Sequence, residues 1–143
     1  MDWTLDNEPF TVTPPDAHGF IYLITYTDGT MYVGKKDFYS NTTLPALQSG
    51  VQRPNSTRVG KNRNGKRVYF DIVRKESNWK KYEGSSKNTK GKTVQSKEIL
   101  AIANSKRALT YLEVKFLFQF SVLESDEFIN DNILGKFFDN CLE

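Results

Sequence analysis

Two short runs of β-forming residues, separated by a turn sequence, constrain the fold more than any other feature of the chain. Residues 20–26 read FIYLITY and residues 30–34 read TMYVG, and Asp28 and Gly29 lie between them. Runs rich in β-branched and aromatic residues around an Asp-Gly pair are typical of two antiparallel strands joined by a tight turn. The sequence therefore predicts a β-hairpin over about residues 20–34.

The length of the turn decides which side chains share a face of this hairpin. Because successive side chains of a strand point to opposite faces, a two-residue turn at Asp28 and Gly29 would separate Tyr22 from Tyr32. A three-residue turn that begins at Thr27, with Gly29 in the left-handed conformation, would place both tyrosines on one face. In that register one face carries Phe20, Tyr22, Ile24, Tyr32 and Lys36, and the other carries a plausible core of Ile21, Leu23, Met31 and Val33. The sequence is compatible with both turns.

Composition divides the rest of the chain into an arm, a basic insert and a second structured part. Residues 1–17 contain three prolines and are expected to form an irregular N-terminal arm, followed by a single domain over 18–143. Residues 40–66 are rich in Ser, Asn, Gly and basic side chains, which predicts a long loop within an insert at about 40–78. The further predicted elements are a strand at 67–73, a short helix at 79–82, a third main strand at 94–102, a helix from Ser105 to about Leu123, and an aromatic tail at 128–138 that packs back onto the domain.

Charge is distributed unevenly along the chain, although the net charge is only +3. Residues 1–34 hold five acidic residues and no Lys or Arg, whereas residues 50–97 hold fourteen basic residues against three acidic ones. Such a block favours a polyanionic partner, most simply nucleic acid, but a solvated lysine-rich loop has the same composition.

Residue counts exclude several kinds of site. Cys141 is the only cysteine, so neither an internal disulfide nor a cysteine-based zinc cluster can form. His18 is the only histidine, which excludes metal sites built on a pair of histidines. No apolar run approaches the roughly 18 residues of a membrane span, and the N-terminus is acidic, unlike that of a signal peptide. We therefore expect a protein of the reducing cytoplasm with no membrane partner.

A carboxylate falls within the apolar stripe of the predicted helix. At about 100° per residue, the stripe contains Leu109, Leu112, Phe116, Phe120 and Leu123. Glu113 lies about 40° from Leu109, inside or at the edge of that stripe. A buried ionised carboxylate is costly unless it is paired or binds a metal. Glu113 is therefore either a side chain that reaches solvent or a lysine, or a metal-binding or catalytic group.

Five stretches together resemble one family of nucleases. The sequences GFIY at 19–22 and MYVG at 31–34 resemble the paired signature of the GIY-YIG endonucleases. The stretches WKKYEGSSK at 79–87, YLEVK at 111–115 and NDNILG at 130–135 resemble a phage-encoded branch related to homing-type nucleases. The resemblance covers about residues 19–135.

This resemblance implies an α+β fold, with a three-stranded antiparallel sheet flanked by helices. It implies a DNA endonuclease that hydrolyses phosphodiester bonds with one divalent metal ion, Mg²⁺ or Mn²⁺. Tyr22 and Tyr32 match the two motif tyrosines, and Glu113 matches the metal-binding glutamate. Asn130 matches the late asparagine best, with Asn132 as the alternative.

The resemblance also implies a catalytic arginine that this sequence lacks. The position expected for it, about ten residues after Tyr32, falls at Ser40-Asn41-Thr42, so Lys80 and then Lys36 are the substitutes. In the three-residue register Lys36 would share a face with Tyr22 and could lower the pKa of its phenol. Tyr22 would then orient or deprotonate the water, Tyr32 would position water or phosphate, and Asn130 would support the site.

The basic insert is expected to contact DNA phosphates, which contribute affinity and salt dependence but no sequence information. The residues assigned to this contact are Arg53, Arg58, Lys61, Arg63, Lys66 and Arg67. The alternative function is a nucleic-acid-binding module on the same fold with little or no catalysis. A third is a protein-interaction domain whose basic loop meets an acidic partner.

Overall fold

The structure is a computed structural model that describes residues 1–44, 58–61, 63–70, 72–84 and 87–139. The chain divides into two compact units, of which the first comprises Met1–Phe38 and Asn78–Glu143 and the second Tyr39–Ser77. The strands are β1 (Trp3–Leu5), β2 (Glu8–Phe10), β3 (Gly19–Tyr26), β4 (Met31–Asp37), β5 (Tyr39–Thr43), β6 (Arg58–Lys61), β7 (Arg67–Phe70), β8 (Ile72–Glu76), β9 (Val94–Ala103), β10 (Asn132–Ile133) and β11 (Phe137–Phe138). The helices are α1 (Lys106–Gln119) and two short 3-10 helices, Trp79–Lys81 and Lys87–Thr89.

The central hairpin of the first unit is formed by β3 and β4 through a three-residue turn. The amide of Gly29 donates to the carbonyl of Tyr26 at 2.9 Å, and Gly29 adopts a positive φ of 88°. The strands pair Ile24 with Tyr32, so Tyr22, two residues before Ile24, lies on the same face as Tyr32. Of the two registers that the sequence allows, the structure has the one that brings the motif tyrosines together.

The sheet of the first unit has five strands in the order β2-β1-β9-β3-β4. The three strands predicted from the sequence, β3, β4 and β9, are antiparallel neighbours within it. The predicted three-stranded antiparallel sheet is nevertheless wrong, because β1 joins the edge of β9 in parallel and carries β2 with it. Residues 1–17, predicted to be irregular, therefore supply two strands.

A buried tryptophan explains why the N-terminal arm joins the sheet. Trp3 is 1% exposed, and its ring centroid lies 5.1 Å from that of Phe20 and 5.3 Å from that of Tyr22. Its indole nitrogen donates to the carbonyl of Trp79 at 2.6 Å, so its polar atom is also satisfied. We call the following rings on this face the aromatic layer: Trp3, Phe10, Phe20, Tyr22, Phe38, Trp79 and Tyr82.

Helix α1 covers the opposite face of the sheet. It begins at the predicted cap, where the Ser105 hydroxyl accepts from the amide of Ala108 at 3.1 Å. Leu109 and Leu117 are buried against a core that also contains Ile21, Val33, Ala103, Val122 and Ile133. The helix ends at Gln119, four residues before the predicted end, and Ser121 follows with a positive φ of 53°. No helix within the described ranges is long and apolar enough to cross a membrane.

The tail covers the free edge of β4, in agreement with the prediction that it packs back onto the domain. The amide of Met31 donates to the carbonyl of Glu127 at 2.7 Å, and the amide of Ile129 donates to the carbonyl of Met31 at 2.9 Å. Farther along the tail, Ile133 is 2% exposed and belongs to the core beneath α1. The backbone of the tail thereby continues the hydrogen bonding of the sheet beyond its last strand.

The second unit, Tyr39–Ser77, contains two antiparallel strand pairs. Strand β5 pairs with β8, and β6 pairs with β7. The predicted loop at 40–66 is therefore wrong where β5 and β6 form, whereas the strand predicted at 67–73 corresponds to β7 and the start of β8. Within this unit the guanidinium of Arg74 lies 3.6 Å from the ring centroid of Tyr39.

Candidate active site

A solvent-open cavity of about 280 Å³ lies where β4, α1 and the tail meet. Strand β4 contributes Tyr32 and Lys35, and α1 contributes Glu113. The tail contributes Asn130, Asp131 and Asn132, together with Leu134 and Gly135. The structure thus brings Tyr32, Glu113 and both candidates for the late asparagine to one cavity, although they are up to a hundred residues apart in the sequence.

Glu113 occupies the buried side of α1. It lies one helical turn from both Leu109 and Leu117, which are 1% and 4% exposed. The carboxylate itself is half-buried. Burial raises the pKa of Glu113 above its usual value, and the positive charge of Lys35 opposes that rise. The site therefore holds a partly desolvated carboxylate, which a bound cation would stabilise.

Tyr32 stands at the edge of the sheet beside this carboxylate. Burial is the main cause that raises the pKa of Tyr32 to about 12. The nearby Tyr82, Glu113 and Asp131 raise it further, because a phenolate would lie close to their negative or potentially negative oxygens. Tyr32 is consequently a neutral phenol at pH 7, able to donate and accept a hydrogen bond.

Tyr22 packs behind Tyr32, with their ring centroids 6.2 Å apart. Only 2% of Tyr22 is exposed, and burial, followed by the neighbouring phenols of Tyr82 and Tyr32, raises its pKa far above the usual value. This rise in the pKa of Tyr22 is opposite to the prediction that Lys36 would lower it. A Cβ built on Gly34 would overlap the Tyr22 hydroxyl and lie 2.6 Å from its Cζ, so the phenol lies directly over a position that only glycine fits.

The two predicted substitutes for the missing arginine lie on the face of the aromatic layer. The Nζ of Lys36 lies 4.3 Å from the ring centroid of Tyr82, which in turn lies 5.9 Å from that of Tyr22. Lys80 is exposed, and its Nζ lies 5.9 Å from the ring centroid of Trp79. Neither lysine lines the cavity that contains Glu113.

The two asparagines have different surroundings. Asn130 is 8% exposed, and its side chain accepts from the amide of Val33 at 3.1 Å and donates to the carbonyl of the same residue at 2.8 Å. Its amide thereby replaces a neighbouring strand at the edge of β4. The Asn132 side chain instead accepts from the amide of Gly135 at 2.9 Å within a turn of the tail. Asn130 therefore fixes the strand that carries Tyr32.

Two further polar residues of the cavity, Lys35 and Asp131, were missed by reasoning from the sequence. Lys35 is two residues after Val33, so strand alternation already places it on the face predicted to be core. For Asp131 no sequence signal stood out. The cavity thus holds two carboxylates, and among the described residues no cluster of three or more His, Cys, Asp or Glu side chains has the arrangement of a metal site.

Five of the six residues predicted to bind DNA lie in or beside the strands of the second unit. Lys61, Arg63 and Lys66 are exposed. Arg58 and Arg67 belong to β6 and β7, which pair with each other. Arg53 lies outside the described residues.

Comparison with known proteins identifies the family. Neither the curated proteins nor the solved structures give a significant match to this chain. A family model described as "Putative endonuclease segE, GIY-YIG domain" matches residues 3–133, a range that includes the hairpin, the glutamate of α1 and the tail as far as Ile133. The match begins at Trp3, so it also includes the arm that adds two strands to the sheet. The chain therefore belongs to the segE type of the GIY-YIG endonuclease family.

Proposed function

We propose that this protein is a divalent-metal-dependent endonuclease that hydrolyses phosphodiester bonds of DNA at the cavity beside Glu113. The observation that carries the proposal is the half-buried Glu113 carboxylate next to the neutral phenol of Tyr32 at a solvent-open site. Membership of a nuclease family supports the reaction class. The block of basic residues at 50–97 supports a polyanionic substrate.

The residues of the cavity fit a hard divalent cation. Mg²⁺ and Mn²⁺ prefer oxygen ligands, and Mg²⁺ is commonly held by one or two carboxylates together with several waters. Glu113 and Asp131 supply two carboxylates to this cavity. The raised pKa of Glu113 supports the same assignment, because a nearby cation would offset the desolvation of its charged form. Held there, the ion would neutralise charge on the scissile phosphate.

The two motif tyrosines are proposed to act as neutral groups. A phenol with a pKa of about 12, like that of Tyr32, is a poor base at pH 7 but a good hydrogen-bonding group. The Tyr32 hydroxyl would therefore position the attacking water or a phosphate oxygen. Tyr22 would hold the Tyr32 ring from behind, which favours orientation over deprotonation as its role.

The remaining predicted residues have supporting roles in this proposal. Asn130 would keep β4, and with it Tyr32, in register through its two bonds to Val33. Lys36 and Lys80 would attract the DNA backbone on the face of the aromatic layer. Exposed basic residues of the second unit, such as Lys61 and Arg63, would add phosphate contacts and hence salt-dependent affinity.

A second candidate function is a nucleic-acid-binding domain with little catalysis. It is favoured by the sequence Ser40-Asn41-Thr42 at the position where the resemblance implies an arginine. Binding alone would need the basic residues but not the carboxylate of Glu113.

Incubation of the purified protein with supercoiled plasmid separates the two functions. The proposed endonuclease nicks or linearises the plasmid when Mg²⁺ or Mn²⁺ is added, and the reaction stops when the ion is chelated. A gel-shift measurement on the same plasmid reports binding. Retarded DNA without any cleavage, in either ion, would contradict the endonuclease and support the binding domain.

A further inference from the structure

Among the residues that the structure describes, Lys35 is the cation that lines the cavity containing Glu113. This lysine projects from β4 on the same side as Val33, toward α1. Its side chain is exposed, and its Nζ donates to the Thr110 hydroxyl at 3.2 Å. Thr110 lies on α1 one turn before Glu113, so the lysine and the carboxylate border the same part of the cavity.

The Thr110 hydroxyl holds this ammonium in a defined orientation. The hydroxyl donates its own hydrogen to the carbonyl of Lys106 at 3.1 Å. Its lone pairs are therefore directed away from that carbonyl and available to Lys35. A long flexible side chain is thereby fixed at a helix that also carries Glu113, at the cost of only one of the three ammonium donors.

In the part of the chain that the structure describes, Lys35 forms no ion pair with a carboxylate, although its charge acts on nearby Glu113. The hydrogen-bond partner of Lys35 is the uncharged Thr110. An exposed ammonium with two donors remaining, beside a carboxylate at an open cavity, is suited to an anionic oxygen of a substrate. Lys36 and Lys80, by contrast, lie over rings of the aromatic layer.

We propose that Lys35 is the catalytic cation of this site, that it contacts the phosphate group being cleaved, and that Thr110 positions it. This inference rests on the proposed function, because it assigns a residue to the same reaction. Lys35 would stabilise the negative charge that develops on the phosphoryl oxygens. It takes the place of the arginine that the sequence lacks near Ser40-Asn41-Thr42.

Cleavage rates of matched variants test the assignment. Lys35→Met should lower kcat for plasmid cleavage about 100-fold, as loss of one charge-stabilising donor does, with a smaller change in KM. Lys35→Arg keeps the charge and should retain most of the activity. The control is Lys115→Met, an exposed lysine that lies about 200° around α1 from Glu113 and outside the cavity. Equal kcat for Lys35→Met and Lys115→Met would overturn the inference while leaving the proposed endonuclease intact.

The role of Thr110 has its own pair of variants. Thr110→Val removes the hydroxyl at almost constant volume and should lower kcat about fivefold, the equivalent of one ordinary hydrogen bond. Thr110→Ser keeps the hydroxyl and should restore the rate. A rate for Thr110→Ser as low as that of Thr110→Val would contradict the positioning role.

If the wild-type protein does not cleave DNA, a binding measurement tests whether Lys35 contacts a DNA phosphate. The affinity for a short DNA duplex is measured by fluorescence anisotropy over a range of salt concentrations. If Lys35 contacts a phosphate, Lys35→Met should reduce the slope of log K against log salt by about 0.9, and Lys115→Met should leave it unchanged. In that case the endonuclease proposal fails and the phosphate contact stands. Equal slopes for both variants would overturn the contact.

Discussion

The side chain of Asn130 offers the sharpest test of how the site is held together. In Asn130→Ala, the amide and the carbonyl of Val33 lose their side-chain partners, and Val33 is only 1% exposed. Each buried backbone group left without a partner costs about 1–3 kcal/mol. Water entering from the adjoining cavity would recover part of this, so we expect a loss of about 2–4 kcal/mol in the free energy of unfolding. That is a large share of the stability of an ordinary domain.

Urea unfolding followed by tryptophan fluorescence measures this loss, because Trp3 and Trp79 are both buried in the first unit. Asn132→Ala is the matched control, since its side chain bonds to the amide of Gly135 in an exposed turn. The control should cost about 0.5–1.5 kcal/mol.

A second variant at position 130, Asn130→Asp, replaces the amide with a carboxylate of the same shape. Asn130→Asp keeps an acceptor for the amide of Val33 but directs a carboxylate at its carbonyl, so it should destabilise the protein about as much as Asn130→Ala. A loss for Asn130→Ala no larger than that for Asn132→Ala would refute the reasoning. Asn130 would then not be the residue that fixes β4.

Three other perturbations test the packing around the tyrosines. Gly34→Ala places a methyl group against the Tyr22 ring and should lower the free energy of unfolding by about 1–3 kcal/mol, and a neutral substitution in a melting experiment would disprove this close contact. Trp3→Ala should cost about 3–5 kcal/mol if the arm belongs to the sheet, whereas a loss below about 1 kcal/mol would mean that the arm is dispensable. Tyr26 and Tyr32, whose folded pKa values of about 12 exceed the unfolded value near 10, should stabilise the fold less as pH rises from about 10 to 12. Phenolate absorbance should therefore show that Tyr22, Tyr26 and Tyr32 ionise in the folded protein well above the usual value near 10, and ionisation of these three phenols near pH 10 in the folded protein would contradict the burial.

Local patterns were sufficient to predict the elements that carry the site. The Asp-Gly turn predicted the β3–β4 hairpin, and Ser105 marked the start of α1, because both signals act over a few residues. The position of Glu113 was also readable, since the helical repeat alone placed it among buried leucines. The apolar character of the tail predicted that it packs back, though not that it pairs with the edge of β4.

The features that were not predicted depend on contacts between residues that are distant in the sequence. The parallel pairing of Thr4 with Glu98 joins residues far apart in the chain, and three prolines in the arm favoured an irregular structure instead. Lys97 is 2% exposed, yet its Nζ donates to the carbonyls of Lys80 and Tyr82, an arrangement that no local pattern indicates. The contact of Lys35 with α1 was not predicted for the same reason. Strand alternation predicts the face of the sheet on which Lys35 lies, but not which helix packs against that face.

The dependence of DNA cleavage on the Glu113 carboxylate tests the central claim most directly. Plasmid cleavage in Mg²⁺ is measured for the wild-type protein, for Glu113→Gln and for Glu124→Gln, an exposed carboxylate outside the Glu113 cavity. The account predicts that wild type and Glu124→Gln cleave at the same rate and that Glu113→Gln loses at least about 100-fold, as expected when a residue that holds the catalytic ion is neutralised. Cleavage by Glu113→Gln at the wild-type rate would contradict it.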